Sequence, residues 1–183
     1  WGSWAGRYGV RDGAKGRPYY WANLKDDWQG TTHRDNSLKR WAVHLQNDFK
    51  TRLDWCVKDA GSANHPPEPK VRGALQRRVV PGDKVVLDAR DSTDPDKDDL
   101  KFVWVYYAGP GSYRGPAPEI QDATSPLASF IAPKVDSIQT LHVILTVTDS
   151  GSPPLARYRR VIVTDGADRA RQQGFARPAG SAR

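Results

Sequence analysis

Val85-Val-Leu-Asp-Ala-Arg-Asp-Ser-Thr-Asp-Pro-Asp-Lys-Asp-Asp-Leu-Lys-Phe-Val-Trp-Val-Tyr-Tyr107 reads as strand, acidic turn, strand. Val85, Leu87 and Ala89 alternate with Val86 and Asp88, the two-residue period of a half-buried strand. Between Asp91 and Asp99 the chain turns polar, and Pro95 cannot donate to a central ladder, so Asp94-Pro95-Asp96 is a turn. Beyond it, Phe102, Trp104 and Tyr106 point one way and Val103, Val105 and Tyr107 the other. A tryptophan in mid-strand after such a turn suits the core of a two-sheet sandwich.

Working outward, the same period recurs. The expected strands are Lys70–Ala74, Arg77–Val80, Lys84–Ala89, Lys101–Tyr107, Leu127–Ile131, Thr140–Asp149 and Tyr158–Thr164. Pro81-Gly82, Gly109-Pro110-Gly111 and Gly151-Ser152-Pro153-Pro154 punctuate them. About seven short strands in roughly 100 residues predict a mainly β fold, a Greek-key sandwich over residues 71–165.

Upstream the pattern changes. Residues 1–30 are dense in Trp, Tyr and Gly, with no long period. Leu38, Trp41, Leu45, Phe49, Leu53 and Cys56 then follow steps of three and four, which predicts one long amphipathic helix over 36–58. Arg34, Lys39, Arg40, Asp48, Lys50, Arg52 and Asp54 fall on its wet side. A lone helix cannot bury such a stripe, so it must dock on something. Residues 61–70 hold three prolines and read as an extended linker. Residues 166–183 lack apolar content and read as a basic, disordered tail.

The net charge of +7 raises the question of nucleic acid, and its distribution answers it. Residues 65–165 carry 13 basic and 13 acidic side chains, so the excess sits on the flanks rather than on the folded reader. No nucleic-acid partner is expected. No apolar run approaches the ~20 residues of a membrane span. The chain begins at Trp1 and contains no methionine, and the expectation is a piece of a longer protein. The single Cys56 cannot close an internal disulfide.

Two kinds of site are readable. Asp91, Asp94, Asp96, Asp98 and Asp99 put five carboxylates in nine residues, and Asp149 ends another strand. Calcium takes six to eight oxygens, which clustered aspartates supply; an Asx turn needs no metal and makes the same pattern. The candidate set for a structural Ca2+ is Asp91, Asp94, Asp96, Asp98 and Asp149, and no cofactor is otherwise required. The second site is aromatic. Trp1, Trp4, Tyr8, Tyr107 and Tyr113 are candidates for stacking on sugar rings; packing inside the protein is the competing role for each. No catalytic set emerges: Cys56 lies on the apolar stripe, His65 and His142 have no acidic partner in sequence, and Glu68 and Glu119 sit in proline-rich loops.

Leu87, Asp88, Ala89, Ser92, Asp94, Pro95, Asp96, Asp98, Leu100 and Trp104 resemble the opening of a bacterial Ig-like domain of the cadherin or polycystic-kidney-disease kind, with Asp91 where glycine is usual. A second resemblance spans nearly the whole chain to about residue 165. It rests on Trp1-Gly-Ser-Trp4-Ala-Gly6-Arg7-Tyr8, Arg40-Trp41, Gln46-Asn47-Asp48-Phe49, Arg52-Leu53-Asp54-Trp55-Cys56-Val57 and Asn64-His65-Pro66-Pro67. Tyr106-Tyr107, Gly111, Tyr113, Gly115, Val147-Thr148-Asp149 and Arg157-Tyr158-Arg159-Arg160 continue it. These motifs resemble the C-terminal part of a bacterial family labelled cellulose-binding, which joins a nucleoside-hydrolase-like domain to a C-terminal Ig-like domain. The resemblance implies that residues 1–60 end a truncated α/β hydrolase-like domain whose catalytic aspartates lie elsewhere, and that residues 71–165 are Ig-like. It implies a secreted, periplasmic or cell-surface setting and a polysaccharide such as cellulose as partner, with the hydrolase-like domain in cis. Two functions stand: a non-catalytic carbohydrate-binding and stabilising module, or a purely structural spacer.

Overall fold

The computed structural model describes residues 8–10 and 21–166, which divide into two compact units. The first runs to His65 and includes the loop Gly151–Ala156; the second comprises Pro66–Ser150 and the chain from Arg157.

In the first unit, β1 (Tyr8–Val10) pairs antiparallel with β2 (Trp21–Asn23). β3 (Asp26–Trp28) and β4 (Thr31–His33) form a hairpin. Its two turn residues, Gln29 and Gly30, both have positive φ (49° and 72°), the backbone that matches a two-residue turn to strand twist. The single helix expected over 36–58 is instead two: α1 (Asn36–Lys39) and α2 (Ala42–Trp55), with a 3-10 turn at Ala60–Ser62. The break at Arg40–Trp41 has a local cause. Buried Asn36 donates through Nδ2 to Asp26 O (3.0 Å) and Thr31 O (2.8 Å), which holds α1 to the hairpin. Arg40, expected on the wet side, donates to Asp27 O (2.9 Å) and pairs with buried Asp26 (3.5 Å).

α2 also faces the opposite way from its apolar stripe. Leu45, Phe49, Leu53 and Cys56 are exposed, Phe49 at 64%. The side that is covered carries His44, Asn47, Asp48, Thr51 and Asp54, and Thr51 is its one buried residue. Burial lowers the pKa of His44.

In the second unit, β5 (Gln76–Val79), β6 (Lys84–Asp88), β7 (Lys101–Tyr106), β8 (Leu127–Ile131), β9 (Gln139–Thr148) and β10 (Ala156–Asp165) build two sheets. One has the order β5-β10-β9-β7 and the other is the pair β6-β8. β5 lies parallel to β10, with Ile162 opposite Gln76; β7 and β9 are antiparallel, with Trp104 opposite Leu145. β6 and β8 are antiparallel, with Leu87 opposite Ala128. The fold is mainly β and Ig-like in layout, as the alternation predicts.

Lys70–Ala74 is not a strand. Gly73 turns there with φ +79°, and scattered bonds rather than a ladder tie the segment to the sheets: Arg72 N–H donates to Asp88 O (2.8 Å), and Arg77 of β5 donates to Arg72 O (2.8 Å) and Ala74 O (2.7 Å). Nor is 61–70 a bare linker: Glu68 forms a β-bridge with Thr93, and Trp55 donates to Asn64 O (2.9 Å) and stacks on His65.

The core lies between the two sheets. Val85, Leu87 and Phe130 from one meet Trp104, Leu141, Leu145 and Val161 from the other. Each fully enclosed side chain of this size contributes about 1.5–3 kcal/mol. Trp104 fills the centre, and its Nε1–H donates to Ser125 O (3.0 Å), so the indole is buried without an orphaned donor.

Candidate functional site

The acidic turn closes on itself. Asp94 Oδ1 accepts from the backbone N–H of Asp96 (2.8 Å) and of Asp98 (3.2 Å). Lys97 takes the left-handed conformation (φ 67°), which curls the backbone between them. The result brings Asp94, Asp96 and Asp98 together, with one carboxylate oxygen from each within 4.8 Å of the others. Asp94 Oδ2 is buried and has no hydrogen-bond partner, a lone oxygen of the kind a cation would take. Ser150 steadies the far side: its Oγ accepts from Asp99 N–H (3.1 Å) and lies 3.5 Å from Asp98 Oδ1.

Two of the five aspartates grouped from the sequence fall outside this cluster. Asp91 is held by Arg72, whose Nε and Nη2 donate to its two oxygens, each at 2.6 Å. That bidentate clamp takes the oxygens a metal would need and lowers the Asp91 pKa. Asp149 is buried and is not one of the three clustered carboxylates. Asp88 is tied beside Asp91: Arg90 donates through Nε (3.0 Å) and Nη2 (2.8 Å), with Arg72 at 3.4 Å. Arg90, with the Arg72 charge behind it, holds Asp88 well below the usual carboxylate range against the opposing effect of burial. The group pins the Arg72 segment to the end of β6.

The aromatic candidates scatter. Trp1 and Trp4 lie outside the described residues. Tyr8 is exposed on β1. Tyr107 continues the β7 ladder, donating its N–H to His142 O (2.8 Å), and its side chain is half-buried. Tyr113 is a correction: it is 9% exposed and belongs to the core. Its loop is drawn in at Gly111, where an added Cβ would meet Thr140 O at 2.5 Å, and Ser112 and Thr140 bond across the gap. A ring in that position seals the end of the sandwich and offers no face to a sugar.

Sequence reasoning missed Tyr158. Val161 and Val163 of β10 are buried in the core, so alternation turns Tyr158 and Arg160 to the outer face of the four-stranded sheet. Tyr107 shares that face with Val103 and Val105 of β7. The signal was present in the two-residue period of Tyr158–Thr164, which the sequence reading used to place a strand and not to assign a face.

Residues 84–165 match the family model described as "Cellulose-binding protein Sde0182, C-terminal domain". A solved nucleoside hydrolase-related protein from Saccharophagus degradans, described as associated with carbohydrate metabolism, is 36% identical over 70% of this chain, with a TM-score of 0.67. The present chain spans about a third (33%) of that protein's length. The solution structure of the PKD domain from KIAA 1837 protein aligns at 19% identity over 61% of this chain and 96% of its own, with a TM-score of 0.35. No curated protein matches the chain. The family model thus matches the β-sandwich from β6 to β10, the part of the chain that the sequence reads as Ig-like.

Proposed function

We propose that this chain is a non-catalytic module that binds cellulose or a related plant polysaccharide and stabilises a hydrolase-like domain in cis, in a secreted or surface-exposed bacterial protein. The family match over residues 84–165 carries this reading, because that family is named for cellulose binding. Of the aromatic candidates read from the sequence, exposed Tyr8 and half-buried Tyr107 keep ring surface for it. The calcium reading narrows to Asp94, Asp96 and Asp98, where an ion would cross-link the turn and leave chemistry untouched.

The hydrolase-like partner rests on α2. A helix that covers its polar side and exposes Val43, Phe49 and Leu53, with Val57 just beyond its end, carries a face built for another surface. The 36%-identical relative is about three times as long as the part this chain spans, and is nucleoside hydrolase-related. The same face favours a second reading, a structural spacer with no glycan ligand, which Tyr113 in the core also supports.

Retention of the chain on insoluble cellulose, with xylan and chitin alongside, separates the two. The module reading expects retention on cellulose that weakens when Tyr107 is replaced by Ala. The spacer reading expects passage through all three.

A further inference from the structure

The neutral charge sum of the sandwich conceals a segregated surface. Five of its acidic side chains are gathered in the turn from Asp91 to Asp99. The outer face of the β5-β10-β9-β7 sheet is the reverse. Strand alternation places Lys101 of β7, Arg160 of β10 and Arg78 of β5 on it, and none of its strand positions is Asp or Glu. The three cations come from both edges and the interior of a sheet about 14 Å wide at 4.8 Å per strand step.

The face is also apolar between its charges. Val103 and Val105 are 43% and 45% exposed, and Val105 lies opposite Ile144 across the β7–β9 pair. Tyr107 and Tyr158 stand on the same side. Tyr158 and Arg160, two residues apart on β10, lie on the same face, and the Arg160 charge opposes the upward effect of burial on the Tyr158 phenol pKa. A sheet face with exposed valines along its β7 edge, half-buried tyrosines beside them, and cations but no carboxylates at its strand positions complements a polymer of sugar rings that carry carboxylates.

We propose that the outer face of the four-stranded sheet is a binding surface for an acidic, uronate-bearing polysaccharide, with Arg160 and Lys101 meeting carboxylates and Tyr107 and Tyr158 meeting sugar rings. The proposal rests on the carbohydrate-binding reading and names the ligand class for it.

The test is calorimetric titration of the whole chain with soluble polygalacturonate, at low and high salt, beside cellulose retention. The face variant is Arg160→Ser with Lys101→Ser. The control, Lys39→Ser with Lys50→Ser on the exposed side of the helices, makes the same change in net charge. Thermal melts confirm that both fold. Binding that weakens with salt, falls about tenfold in the face variant and holds in the control is the expected result. Restoring lysine at position 160 (Arg160→Lys with Lys101 intact) should recover most of the affinity. Equal losses in both double variants would overturn the assignment to this face. Equally tight binding of single-stranded DNA would overturn the glycan assignment. Cellulose retention without polygalacturonate binding would defeat this inference alone, whereas failure on both polymers would defeat the carbohydrate reading as well.

Discussion

Asp165 ends β10 with its side chain fully enclosed (0% exposed). Its Oδ1 accepts from Gly166 N–H (2.8 Å), and its Oδ2 has no hydrogen-bond partner. Burial raises its pKa, and the Asp83 charge adds to this. The folded state therefore holds this proton more tightly than the unfolded chain does. Its contribution favours folding at and below the ordinary carboxylate pKa of about 4, and is lost as pH rises through the folded value. Asp165→Asn keeps the acceptor for Gly166 and removes the buried charge. It should raise Tm at pH 7 by about 2–4 °C and flatten the pH dependence above pH 4, read by thermal melts from pH 3 to 8. An unchanged Tm at pH 7 would mean that the carboxyl is solvated or paired. At this scale the sequence was uneven. Trp104 was readable as core because a tryptophan in an alternating strand has one apolar side to go to. Tyr113 was not, because its loop has no period. The hydrogen bonds between Ser112 and Thr140 that pull it inward join residues 28 apart.

Elements were legible where the pattern was local. Leu127–Ile131 forms over the residues that alternation marks, and the other long strands differ by a residue or two at their ends. Lys70–Ala74 failed because Gly73 and the Arg72 ion pairs decide that segment, and neither enters a two-residue period. In α2 the apolar stripe is present, but the helix ends at Trp55 and the stripe stays exposed among the described residues. The helix exposes Phe49 and, just beyond its end, Val57 (82%), while its covered side is polar. With little apolar burial behind it, α2 should exchange its amide hydrogens well before β7 and β9, whose cores are enclosed. Native-state hydrogen exchange tests this; α2 protection equal to that of β9 in a monomer would show that the stripe is not waiting for a partner. The acidic turn makes a parallel prediction. If Asp94, Asp96 and Asp98 hold calcium, Ca2+ at about 100 times its Kd should stabilise the chain by about 2.7 kcal/mol, seen as a Tm increase that chelator reverses. Asp94→Asn should abolish the increase, whereas Asp91→Asn should not, because Asp91 already serves Arg72. A Tm indifferent to calcium and chelator would leave the turn a metal-free Asx structure.

At the scale of the whole chain, a β-sandwich that matches the Sde0182 C-terminal domain model accompanies an aromatic-rich unit whose helix exposes its apolar stripe among the described residues. The Ig-like layout was legible because strands announce themselves by alternation. The ligand face was not, because charge segregation depends on which strands are neighbours, and β5 lies beside β10 across more than seventy residues of sequence. Polysaccharide binding is the function proposed for this chain. The most direct measurement is the fraction of purified chain retained on insoluble cellulose, with Tyr107→Ala and Tyr8→Ala beside it and soluble cello-oligosaccharide as competitor. A polysaccharide-binding module gives saturable retention that the competitor displaces and at least one of the two tyrosine variants reduces. Passage of the wild-type chain with the unbound fraction would contradict it and leave the structural spacer as the function.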